Sequence, residues 1–468
     1  MRMDEGTWRW SVASIVVLST LSGGIQAQEG EVAPPPAAEP ASAPEAAPPA
    51  EPPSAGSDAT KSNTSEPEAA PADDRKLGWS WAALPLANYN SDEGVGYGVK
   101  GAVYKVTPDS NPYQHQVSLM LFFTTKKVMY HEFLWDAPNF RGSGVRMETR
   151  LIFDQTLLNN YFGVGNEVAP VLPYGTEGEE ALGEAEEVAN RYYTLYSLQQ
   201  PTFIFNTRKD LTGPLKLFSG VKYKYTVVTP FDSERVEQQS GVAVPDDYTT
   251  LFEQDNPYGA SGGHLATAQL GVIRDTRDQE PSPDRGGFSE LSLRGNYYAA
   301  GDPAEQVDAS PLFWGVNLTA RRYLPIPGPV VLALRFVGDA ALGDVPVFEL
   351  PKFGGSRDYG GIGGSIALRG VVFNHYIGKA KMLAGTELRV IPYTAHIKDN
   401  KLDIMTVAYL DTGRVWTDYN TDEGGGLHSA AGGGLRFAWN NNFLVRFDMA
   451  WSLTDDDSGI YLVFDHAY

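Results

Sequence analysis

Two Asp-Thr/Ser-Gly turns, Asp411-Thr412-Gly413 and Asp457-Ser458-Gly459, are the parts of this sequence that most resemble catalytic equipment. A pair of such turns can share one proton between two carboxylates and activate water. Here they stand only two or three predicted strands apart, without a lobe each, and Asp457 closes the acidic run Asp455-Asp456-Asp457. That run reads first as a solvated hairpin and second as a calcium loop. The histidines form no His-Glu-x-x-His spacing, and Gly360-Gly361-Ile362-Gly363-Gly364 is not followed by the Lys-Ser/Thr pair of a phosphate cradle. The sequence therefore predicts no catalytic, metal or cofactor residues and no enzyme. Its distinctive charges lie elsewhere: Glu387, Arg389, Arg436, Arg446 and Asp448 all sit in the middle of apolar segments.

The elements that would carry these charges are strands. From Phe443 to Leu453 the residues Phe443, Val445, Phe447, Met449, Trp451 and Leu453 share one face, while Arg446, Asp448, Ala450 and Ser452 share the other. A period of two with one apolar and one polar side is a β-strand. Leu435, Phe437 and Trp439 repeat the pattern against Arg436, and Asn440-Asn441-Asn442 joins the two segments tightly. A soluble sandwich alternates as well, but it would turn these charges to bulk water, whereas a barrel would enclose them. Trp79, Trp81, Trp416, Trp439 and Trp451 fall near strand ends, as an interfacial girdle requires.

Roughly sixteen such segments follow Leu77, from about 78–87, which holds Pro85, to about 459–468, which ends at Tyr468. An even count suits a closed, antiparallel transmembrane β-barrel over residues 77–468. Connections alternate between short ones, predicted to face the periplasm, and long ones, predicted to face outward. The longest, 341–382, falls between the eleventh and twelfth strands.

Composition agrees. No cysteine is present, which excludes a disulfide scaffold, a Cys-zinc site and an iron-sulfur cluster. Past residue 27 there is no apolar run long enough for a membrane helix. A net charge of -21 argues against nucleic acid as a partner. Residues 1–27 carry Arg2 and Arg9, the apolar stretch Val12 to Leu21 and a small-residue end at Ala27, the order of a secretory signal peptide. Residues 28–76, dominated by Pro, Ala, Glu and Ser, read as a disordered linker, because they offer too little apolar surface to offset the entropy of folding.

Further motifs stand in a telling order. Arg274-Asp275-Thr276-Arg277-Asp278 with Pro283 and Gly286 comes first, then Phe353-Gly354-Gly355 to Gly360, Ala367-Leu368-Arg369-Gly370, Gly385-Thr386-Glu387-Leu388-Arg389 and Tyr409-Leu410-Asp411-Thr412-Gly413. Together they resemble the bacterial surface antigen superfamily, the BamA/TamA-type outer-membrane assembly barrels. The resemblance covers about Leu77 to Tyr468. It implies a 16-stranded antiparallel barrel in the bacterial outer membrane whose loop between strands 11 and 12 folds into the lumen.

Within that loop Arg369 and Gly370 would form the tip, Arg369 would meet Asp411, and Glu387, Arg389 and Gly413 would belong to the inner wall. Placing Asp411 inside requires either a bulge or an Arg414 among the outer lipid headgroups. Val371 stands where the family has an aromatic, and His466 where it has a hydrophobe. The 28–76 stretch is too short and polar for the family's periplasmic repeats. Functionally, the resemblance implies a monomeric barrel that assists insertion or translocation of client polypeptides. The mechanism would lie at a seam bounded by Pro85 on the first strand and Tyr468 on the last. The alternative is a passive pore or surface barrel without assembly activity.

Overall fold

The computed structural model describes residues 77–110, 113–166, 183–279, 282–356, 360–397, 400–419, 426–439, 443–464 and 467. The signal-peptide and linker readings, Arg357 to Tyr359, His466 and Tyr468 lie outside these residues. In chain order the strands are β1 (Gly78–Asn90), β2 (Gly94–Val106), β3 (His115–Thr124), β4 (Val128–Ala137), β5 (Val145–Asn160), β6 (Leu195–Asp210), β7 (Leu215–Pro230) and β8 (Gly263–Asp275). They continue as β9 (Gly286–Ala300), β10 (Leu312–Ile326), β11 (Val330–Leu342), β12 (Ala380–Ile397), β13 (Asn400–Trp416), β14 (His428–Trp439), β15 (Phe443–Ser452) and β16 (Ser458–Phe464). Each strand pairs antiparallel with its sequence neighbours, and β16 returns to β1, closing the barrel.

Closure fixes which side of each strand meets which medium. On β9 Leu291 and Leu293 point outward and are exposed, while Glu290, Ser292 and Asn296 are buried inside. β10 and β15 obey the same rule, with Leu318 and Met449 outside and Asn317 and Asp448 inside. The apolar set thus coats the outside of a ring whose interior is polar, the arrangement of a membrane barrel.

Two rims differ in their connections. One carries the short joins, 211–214 and 327–329 among them, and the β8–β9 turn at 276–285. In that turn Arg277 folds back on Asp275 through Nε at 2.9 Å and Nη2 at 2.8 Å, and Asp278 Oδ1 accepts the Gln279 and Asp284 amides, each at 3.1 Å. Gly286 is required there: its φ is +92°, and a Cβ would fall 2.0 Å from the Thr276 carbonyl oxygen. The other rim carries the long loops, including helices α1 (Glu184–Tyr193), α2 (Ser233–Ser240) and α3 (Leu251–Asp255), although its first two joins, 91–93 and 125–127, are also short.

The described loop residues, 343–356 and 360–379, follow β11 at the long-loop rim and pack inside the barrel. Two apolar clusters hold them there. Phe348 and Leu350 pack with Tyr196, Tyr298 and Phe313, while Phe353, Ile362, Leu368 and Val371 pack with Val337, Leu383 and Val415. Burying each such side chain contributes about 1.5–3 kcal/mol, so the loop's placement rests on apolar contact before any charge is considered.

Candidate functional site

Strand parity delivers the charges. On β13 the odd residues from Asp403 to Val415 face inward, in unbroken register with β14 and, from Thr406 onward, with β12, so Asp411 points into the lumen with no bulge in β13. Arg414 consequently points outward, with its guanidinium 4.9 Å from the Trp416 ring centre near the strand end. A register shift occurs on β12 instead, between Val390 and Tyr393, around Pro392, which has no N–H to give to a ladder. Glu387 and Arg389, two residues apart on β12, therefore share the inner face and pair through Arg389 Nη2 at 2.8 Å.

Arg369, fully buried at the loop tip, reaches this wall. Its Nε donates to Asp411 Oδ2 at 2.6 Å and its Nη2 to Asp411 Oδ1 at 3.1 Å, a two-point grip that fixes orientation as well as position. Its Nη1 donates to Glu387 Oε1 at 2.7 Å and to Asp448 Oδ2 at 3.3 Å. The guanidinium lies over the Tyr409 ring, 3.5 Å from its centre. Gly370 follows with φ +94°, and a Cβ there would come within 3.0 Å of the Ala450 backbone, so the tip approaches β15 as closely as a glycine permits.

The wall grips back. Arg335 on β11 donates to the Ile366 carbonyl at 2.7 Å and the Ala367 carbonyl at 3.0 Å, and stands 3.5 Å from Asp411. Arg446 donates to the Ser365 carbonyl at 2.9 Å and to Asp448 at 3.1 Å, and Arg436 joins Asp448 at 2.5 Å. The excess of guanidinium over carboxylate is met by three consecutive loop carbonyls. Loop arginine to wall carboxylates, and wall arginines to loop backbone, makes the attachment reciprocal. Gly413 has a passive part, since a Cβ there would lie 3.1 Å from Ile362 Cδ1.

Sequence reasoning brought together Arg369, Gly370, Glu387, Arg389, Asp411 and Gly413, and it noted Arg436, Arg446 and Asp448 as wall charges. It missed Arg335 and Tyr461, whose Oη accepts the Gly370 N–H at 3.1 Å, and it gave Tyr409 no role beyond its place in the motif. Arg335 and Asp339 are the two charges of an otherwise apolar β11, both on its inward parity, and that parity was the available signal for Arg335. The two turns once weighed as a protease pair are engaged separately: Asp411 by Arg369, and Asp457 by the Val372 N–H at 2.7 Å. Among the described residues no group of three or more acidic or histidine side chains is placed to hold a metal.

The seam is the second feature. All thirteen residues of β1 pair with β2, Pro85 opposite Val99, but among the described residues only Tyr89↔Leu462 and Asn90↔Tyr461 pair β1 with β16. Among the described residues β16 runs from Ser458 to Phe464, and Ala467, expected within the strand, is outside it. Ala467 is 3% exposed and packs against Tyr323, Val331 and Ala333 on the inner faces of β10 and β11, while its carbonyl accepts Arg335 Nη1 at 3.3 Å. Ala467 sits in the lumen because an apolar niche and a guanidinium receive it there. The β1 edge below Tyr89 gains no partner from the described part of β16.

An Omp85 superfamily domain matches residues 130–465. The chain belongs to the Omp85 superfamily. This Omp85 barrel is accordingly a bacterial outer-membrane protein. Among solved structures it is similar in fold to BamA from Haemophilus ducreyi lacking POTRA domains 1-3, with a TM-score of 0.50 and 13% identity over 83% of this chain and 70% of that one. It is also similar to CdiB from Escherichia coli, with a TM-score of 0.50 and 12% identity over 83% of this chain and 63% of that one. The Omp85 chain thus spans roughly two thirds of the length of these solved relatives. No curated protein matches it in sequence.

Proposed function

We propose that this Omp85 barrel assists the membrane insertion or translocation of polypeptides, and that the β1 edge is where it does so. The observation that carries the reading is the two-pair seam beside a fully paired β1–β2 ladder. A strand edge with unpaired N–H and C=O groups is a template for an incoming strand, and main-chain pairing supplies affinity without demanding a particular client sequence. The lumen loop serves as an internal strut: its reciprocal arginine attachments hold the β11–β15 wall rigid, so that deformation concentrates at the seam. Its apolar and ionic packing also fills space that a steady open pore would need. No chemistry on the client is required of the protein, and its partners are membrane lipid and client chains.

Reconstitution into liposomes tests this. The folding of an added, urea-unfolded outer-membrane barrel should accelerate in vesicles carrying the protein. Joining Tyr89→Cys to Leu462→Cys by a disulfide should abolish that acceleration, and reductant should restore it. Steady ion conductance with no acceleration of folding would favour the passive-pore reading.

A further inference from the structure

The loop segment Gly370 to Tyr376, which leads away from the Arg369 tip, is held from both sides of the seam. Gly370 N–H donates to Tyr461 Oη on β16 at 3.1 Å, and Val372 N–H to Asp457 Oδ2 in the β15–β16 turn at 2.7 Å. Phe373 N–H donates to Asp92 Oδ1 in the β1–β2 turn at 3.4 Å. Tyr376 Oη donates to Asp455 Oδ1 at 2.6 Å, and the Phe373 carbonyl accepts Asn160 Nδ2 of β5 at 3.3 Å. Beside this strap, Ser91 N–H reaches the Ile460 carbonyl at 3.1 Å, next to the two seam pairs. Four consecutive loop residues therefore span the seam at the place where it is closed. The longest of their three N–H contacts, and so the weakest, is the one to the β1 side.

Resting on the reading of the β1 edge as the working surface, we propose that Gly370–Phe373 is a clasp on the seam, and that release of Phe373 from Asp92 is the step that frees β1 from β16.

Charge crowding gives the clasp a pH dependence. Asp92 faces Asp457 and Lys126, whose Nζ caps the Ser91 carbonyl at 2.8 Å, and Glu93 faces Asp92, Asn90 and Asp154 of β5. On the other flank Asp455 faces Tyr376, His428 of β14 and His375. Burial first pushes Asp92 up, the Phe373 N–H pulls it partly back and Asp457 adds to the rise, leaving it at about 6, while burial and then Asp92 and Asp154 push Glu93 up to about 7. Opening the seam admits water and returns both toward ordinary carboxylate values. An acid whose pKa is raised in the clasped state favours that state at low pH, and the preference is lost as pH climbs through the raised values. A protonated Asp92 keeps a carbonyl oxygen for Phe373. Opening should thus increase between pH 5 and pH 8, by about tenfold for each unit of pKa shift relieved.

The absence of native cysteine makes the test direct. Spin labels at Tyr97→Cys on β2 and Met449→Cys on β15, both outward-facing, bracket the seam without touching the clasp. In nanodiscs and without client, pulsed EPR should show a distance distribution that broadens to longer values from pH 5 to pH 8. Asp92→Asn with Glu93→Gln should hold the pH 5 distribution at pH 8, while Asp92→Ala and Asp457→Ala should broaden it at both. Retained amide protection in β5 and β6 establishes that each variant is folded. Distributions unchanged by pH and by both alanine variants overturn the clasp, whatever clients do. Broadened distributions without any change in client insertion uphold the clasp and instead overturn the assembly function.

Discussion

A guanidinium without solvent exposure persists only if nearly every donor is met, because an unpaired buried charge costs several kcal/mol. Arg369 meets that condition through Asp411, Glu387 and Asp448 together, with the Tyr409 ring beneath it. Removing it leaves Asp411 with Arg335 at 3.5 Å as its remaining ion-pair neighbour. Arg369→Ala should therefore weaken the docked loop by about 3–5 kcal/mol, the usual cost of breaking a buried pair from one side. Limited proteolysis should then cut within 343–379 while the barrel persists as a heat-resistant band. Gly370→Ala should have a milder effect of the same kind, about 1–2 kcal/mol from the left-handed backbone, with added crowding against Ala450. Lowered unfolding temperatures of the detergent-solubilised protein would register both, and an unchanged Gly370→Ala variant would refute the tight tip. Glu387 and Arg389 were legible in the sequence because mid-strand charges in an apolar segment must face inward, whereas Asp411 came from the family resemblance, its parity leaving a bulge or an outward Arg414 open. Arg335 was not singled out, since its partners are backbone carbonyls from a distant loop and the spacing of residue types does not announce them.

Among the strands, the same period of two produces two different edges. β5 and β6 pair along nearly their whole length, with one irregularity between Thr156 and Asn159, whereas β1 and β16 share two pairs. Amide hydrogen exchange should therefore divide β1 by parity: protons directed at β2 protected, those directed at the seam from Gly78 to Asn88 exchanging fast, and both sets in β5 slow. Uniform protection along β1 would mean that the seam is closed in the membrane. Wall glycines belong to this scale too. At Gly434 a Cβ would lie 2.1 Å from Asp448 Oδ1 and 2.8 Å from Arg436 Nη1, so β14 is bare where its own Arg436 meets Asp448 of β15. Gly434→Val should displace that pair and lower the unfolding temperature more than Gly101→Val, where a Cβ has open space.

For the molecule as a whole, the decisive quantity is which medium touches which face. Leu293, mid-way along β9 and 61% exposed, lies on the lipid side, and the neighbouring Ser292 lies inside. Leu293→Arg should cost about 2–4 kcal/mol in unfolding from lipid bilayers, the penalty of a midplane charge on a barrel's outer face. Ser292→Thr, a small inward change, should cost far less, and equal costs would contradict the assignment of faces. The sequence by itself determined the strand count, the inward and outward sets, the cysteine-free composition and the loop that carries Arg369, because all of these follow from a local period of two and from residue type. Only the tertiary structure decided that Ala467 lies in the lumen, that Arg335 binds the loop and Ala467 together, and that Gly370 to Phe373 bridges the seam. Those contacts join residues far apart in the chain through backbone groups, which every residue carries alike, so their pairing depends on closure of the ring and leaves no trace in the order of side chains.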